Sequence, residues 1–215
     1  CGTRASVEGL PQGGLLSSNL TDTDSRVLGF GSLRTATEGG EYRLCWCGFD
    51  QDCSQPSQFR VDVGRFWVIG PSPLQQAWTC INGQTCNINT LTGVGLGDDM
   101  VAVMDTCLQN NFHRFPWTVL PMVASHSGAS YEFQPAGMTS GQYRMCWCAT
   151  GMACITLENF ALDIGTLNLL GPMPVQQHRT CVSGQPCHFE RFSNFGMSGL
   201  GTIWILDPCG ATGNP

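Results

Sequence analysis

The sequence predicts an all-β protein built of tandem β-sandwich repeats, each about 100 residues long and stapled by disulfides. Three observations carry this expectation. Gly40-Glu41-Tyr42-Arg43-Leu44-Cys45-Trp46-Cys47 returns as Gly141-Gln142-Tyr143-Arg144-Met145-Cys146-Trp147-Cys148. Cys45, Cys47, Cys53, Cys80 and Cys86 recur 101 residues later as Cys146, Cys148, Cys154, Cys181 and Cys187, Cys107 recurs 102 later as Cys209, and Cys1 matches Cys107 after 106. No segment sustains helical periodicity, whereas short apolar runs bounded by Gly, Pro, Asn and Ser are frequent.

Composition narrows the setting. Thirteen cysteines in 215 residues point to an oxidising compartment, so the chain is read as extracellular or displayed at a cell surface. Starting at Cys1, it is expected to be a processed piece of something longer, its secretory leader removed. All ten basic residues are arginines and the net charge is −6, which offers nucleic acid no basic footprint. Apolar runs such as Phe66-Trp67-Val68-Ile69 and Ile203-Trp204-Ile205-Leu206 fall far short of the roughly 20 residues of a membrane span.

In chain order, residues 1–24 form a polar loop that carries the sequon Asn19-Leu20-Thr21, so a glycan is expected on Asn19. The corresponding loop of the second copy, 108–130, is apolar through Phe112, Phe115, Trp117, Leu120 and Met122. It either folds back on its own domain or forms a subunit contact. Within the signature strand, Tyr42, Leu44 and Trp46 are expected on the core face, with Arg43, Cys45 and Cys47 opposite. Residues 59–64 and 160–165 alternate as half-buried strands. Residues 66–71 and 167–172 read as the first strand of the next unit, closed by Gly-Pro. The predicted division is therefore 1–64 as the late part of one repeat, 65–165 as a complete repeat and 166–215 as the early part of the next. Residues 78–86 and 179–187 signal tight hairpins, and 100–104 and 202–206 a further strand.

The pattern Gly-x-Tyr-x-(Leu/Met) resembles the penultimate strand of immunoglobulin-like domains, whose tyrosine corner sets a Tyr two residues before a core cysteine. Here Leu44 and Met145 occupy that cysteine slot, so the cross-core disulfide of such domains is not expected. Proximity pairs Cys47 with Cys53, Cys80 with Cys86, Cys148 with Cys154 and Cys181 with Cys187; elimination then pairs Cys1 with Cys45 and Cys107 with Cys146. In the loop-entropy model, closing about 40 residues stabilises by about 4 kcal/mol and closing about seven by roughly 2.4 kcal/mol. Cys209 is left to bond across to a neighbouring segment.

The full period, Tyr-Arg-(Leu/Met)-Cys-Trp-Cys, Phe-x-x-Asp-x-Gly, Gly-Pro and Thr-Cys-x-x-Gly-Gln-x-Cys, resembles cysteine-rich modules strung in very large surface proteins of alveolate protists. That resemblance implies extracellular arrays for coats, appendages or adhesion and no catalytic role. The residues agree with it. Cys45, Cys47 and Cys53 have a spacing that could cup a metal, yet no histidine repeats with them, and His113, His126, His178 and His188 lack counterparts. Asp62 and Asp163 repeat, as do Asp105 and Asp207, but calcium wants six to eight oxygens and the acids are not clustered. No catalytic residue, metal or cofactor is expected. The expected partner is the chain itself, head to tail in a stiff filament; the alternative is a glycan-binding ectodomain with specificity in its variable loops.

Overall fold

The computed structural model describes residues 1–3, 5–18, 28–48, 50–108, 122–123, 130–133, 138–198 and 201–206. Among them the chain is all-β, with 3-10 turns as its only helical elements. The strands are β1 Ser17–Ser18, β2 Leu28–Gly29, β3 Gly40–Trp46, β4 Val61–Val68, β5 Gly70–Pro71, β6 Gln76–Ile81 and β7 Cys86–Ile88. They continue as β8 Gly93–Val94, β9 Met100–Met104, β10 Met122–Val123, β11 Tyr131–Phe133, β12 Gly141–Cys148, β13 Leu162–Pro172 and β14 Asn194–Phe195.

The middle of the chain holds the main sheet, ordered β10-β9-β12-β13, with β6 on the other edge of β13 and β14 at its end. Small two-stranded sheets, β7 with β11 and β5 with β8, supply the rest. Alternation along β12 puts Tyr143, Met145 and Trp147 into a core shared with Trp78, Ile88, Val101, Val103, Tyr131, Phe133, Ile164, Leu167 and Leu169. The residues in between point the other way: Cys146 and Cys148 join Ala102, Met104, Cys154, Leu157 and Phe160 in a second apolar cluster. Both faces of the sheet are thereby covered, one by strands and one by the looped segment after Cys148.

Two expectations about elements are corrected. Two strands are expected either side of Gly64 and of Gly165, but one strand crosses each position. The glycines, at φ 141° and 138°, accompany a bulge, not a break: Leu44 faces Gly64 while Cys45 faces Asp62, leaving Val63 as the extra residue. The same slip occurs between Met145 and Cys146. The strand expected at 202–206 is not formed, and 179–187 keeps its turn through Gln185 N–H to Val182 O (3.2 Å) without strand pairing. The reason is lack of a neighbour, since a strand's hydrogen bonds need a second strand.

Candidate assembly interface

Both copies of the signature strand are set by the same side-chain contacts. Tyr42 Oη donates to Glu38 O at 2.8 Å, and Tyr143 Oη donates to Thr139 O. Arg144 grips both oxygens of Asp163, Nε to Oδ2 at 2.7 Å and Nη2 to Oδ1 at 2.6 Å, whereas Arg43 donates from Nε (2.9 Å) and Nη2 to the one oxygen Oδ2 of Asp62. Each aspartate also accepts the N–H of the following bulge glycine, Gly64 at 3.0 Å and Gly165 at 3.1 Å. Arg43 first, then the Gly64 N–H, hold the Asp62 carboxyl below its ordinary value. This clamp was not anticipated from sequence, although Arg and Asp recur with a constant separation of 19.

The cysteines brought together are Cys1 with Cys45, Cys47 with Cys53, Cys80 with Cys86, Cys107 with Cys146, Cys148 with Cys154 and Cys181 with Cys187. Cys45, Cys47 and Cys53 are thus engaged with sulfur partners, and Asp62 and Asp163 with arginines. Among the described residues no three histidine, cysteine or acidic side chains converge, and no helix is long and apolar enough to cross a membrane. Asn19, Phe112, Phe115, Trp117, Leu120 and Cys209 lie outside the described residues. Met122 is described in its backbone alone, where it pairs with Val101 at the sheet edge.

The N-terminal end repeats two strands of the middle as β3 and β4, and the C-terminal end repeats the sequence of β6 and β9 without forming strands there. β12 has β9 on its free edge, and β13 has β6. Among the described residues, their counterparts β3 and β4 pair with each other and with no other strand. Core positions register the loss: Trp46 is 54% exposed where Trp147 is 8%, and Val63 is 59% exposed where Ile164 is fully buried. Gly165 lies so close to Gln76 that an added Cβ would collide with the Gln76 carbonyl, whereas the space beside Gly64 is open. At the other end, Ile205 is 84% exposed where Val103 is fully buried. By the repeat, residues 177–182 and 202–206 are the sequence counterparts of β6 and β9, and among the described residues β3 and β4 have no such strands beside them.

A cleft of about 580 Å³ opens beside the uncovered Trp46, lined further by Asp50, Asp52, Gln58, Arg60 and Val61. In the middle unit Gly70 lies 3.6 Å from the six-membered ring of Trp147 when given a Cβ, so the equivalent indole is roofed by the preceding strand. Asp52 accepts from Gln58 Nε2 at 2.8 Å and from Ser54 N–H at 3.0 Å, which lower its pKa.

No family model and no solved structure matches the chain. One curated protein is similar, cysteine repeat modular protein B of Toxoplasma gondii, at 23% identity over 163 residues. The alignment covers 72% of this chain and about 2% of that protein's length.

Proposed function

We propose that the chain is a segment of an extracellular structural array, in which immunoglobulin-like sandwich units are completed by strands from their neighbours. One observation carries the reading: positions buried in the middle unit are bare at both ends, and the segment after β13 is the sequence counterpart of the strands that flank β12 and β13 in the middle. Transferring the register of β9 on β12 sets Trp204 of one segment opposite Cys45 of the next, and Leu206 opposite Arg43. Such a contact is head to tail and does not close on itself, which generates a filament. The similarity to a cysteine repeat modular protein supports an array, and the six disulfides support an oxidising, extracellular setting.

Sedimentation of the oxidised chain across a concentration series tests this. Open-ended growth is expected, and either Val63→Asp or Ile205→Asp should stop it, since each side chain is exposed in the isolated chain. A monomer at every concentration, with the amides of β3 and β4 as protected as those of β12 and β13, would overturn the reading. A second reading, glycan adhesion, rests on the Trp46 cleft, where an indole stands beside carboxylates and Arg60. Loss of glycan-array signal on Trp46→Ala without change in assembly would favour it.

A further inference from the structure

The chain enters and leaves the middle unit along two strands that lie side by side. It arrives through β4 and β5, turns within residues 72–75 and becomes β6; it departs along β13. β6 and β13 are parallel, in register from Gln76 opposite Gly165 to Ile81 opposite Leu170. Because they are parallel, the end at which β6 receives the chain lies opposite the end at which β13 releases it. Tension carried by the backbone then draws β6 by its first residue and β13 by its last, in opposing directions along a common axis.

We propose that the β6–β13 pair is a shear clamp that makes each unit a tension-bearing module. This deepens the structural-array reading and rests on the units being strung in line. Under shear the hydrogen bonds of the six paired positions share the load and yield together; under peeling they yield one at a time. The clamp is closed at both ends. At the entry end the Gln76 carboxamide donates to Pro73 O (2.8 Å) and Thr92 O (3.1 Å) and accepts from Thr92 N–H (3.1 Å). At the exit end Asn82 N–H donates to Leu170 O at 2.8 Å, and its side chain donates to Met138 O and Ser140 Oγ. Between these ends Trp78 and Cys80 are buried in the core, so β6 cannot slide without exposing them.

Disulfides limit how far a ruptured unit can lengthen. Within one 101-residue period, Cys80–Cys86, Cys107–Cys146 and Cys148–Cys154 close separations of 6, 39 and 6 residues. About half of the period is thereby withheld from extension. At about 3.5 Å per residue, rupture of the middle unit lengthens the chain by about 18 nm when oxidised and about 35 nm when reduced.

Single-molecule pulling on the full chain with non-cysteine handles tests the clamp. Forced unfolding reports the unfolding barrier along the loaded direction. With handles at the two termini, a distinct rupture of the middle unit is expected, its increment doubling in reductant. With handles at Gly83 and Met173, which lie at the same end of β6 and β13, the same bonds are peeled and the rupture force should drop several-fold. Equal forces in the two geometries would overturn the clamp, and so would an oxidised increment equal to the reduced one. Failure of the chain to assemble in sedimentation leaves both pulling results standing, so the two ideas fail separately.

Discussion

At the scale of single residues, Gly165 shows how one missing side chain admits a whole strand. Its φ of 138° and its contact with the Gln76 backbone both exclude a Cβ, so Gly165→Ala is expected to cost about 1–3 kcal/mol, read as a shift in denaturant midpoint. Gly64→Ala carries the φ strain alone as long as the neighbouring strand is absent, and its cost should grow on assembly. Arg144 and Asp163 are 35% and 41% exposed, so Arg144→Ala should remove only about 0.5 kcal/mol. For Asp62 the sign is set by Arg43: a carboxyl held below 3.8 contributes stability above that pH and loses it as pH falls through the lower folded value. Carboxyl-carbon NMR should show Asp62 titrating below 3.8, and Arg43→Ala should move it upward. Tyr131 is the opposite case, its hydroxyl pushed up by burial and then by Asp99.

At the scale of elements, the alternation of Tyr143, Met145 and Trp147 with Cys146 and Cys148 was legible because a strand's period of two sorts side chains by face. The bulge was not. A glycine preceding a fresh apolar run reads as a break, and only pairing across to β3 or β12 shows the strand continuing. That 166–215 holds only the early part of a repeat was legible from where the repeat is cut, but the absence of a strand at 202–206 was not, since the residues are apolar enough for one and are exposed. Asp99, buried and accepting from Thr150 N–H at 2.8 Å and Gly97 N–H at 3.0 Å, has no acidic counterpart at Gly201, so the repeat gave no cue to it. Among the staples, Cys107–Cys146 ties β9 to β12 across 39 residues; replacing both cysteines by serine should cost about 4 kcal/mol, against roughly 2.4 for the Cys148–Cys154 pair. Thermal unfolding of the two double variants measures the difference.

At the scale of the whole molecule, the chain offers a comparison with itself, a packed middle between ends whose equivalent residues are exposed. Peptide mapping of native material is expected to find a glycan on Asn19, and unmodified peptide throughout would contradict the proposed extracellular route. The eleven residues of β13 pair with β12 and β6 over most of their length and with β14 at Gly171 and Pro172, so in the proposed array they belong to two units at once. A unit so joined has no first residue of its own, and the period can be counted from any phase. Duplication or loss of whole periods of 101 or 102 residues therefore leaves every strand with its proper neighbours, wherever the cut falls. Loss of part of a period puts the wrong strands side by side, whereas a loop can change length, as the 106 residues from Cys1 to Cys107 show, so copy number is free to drift while strand order is held.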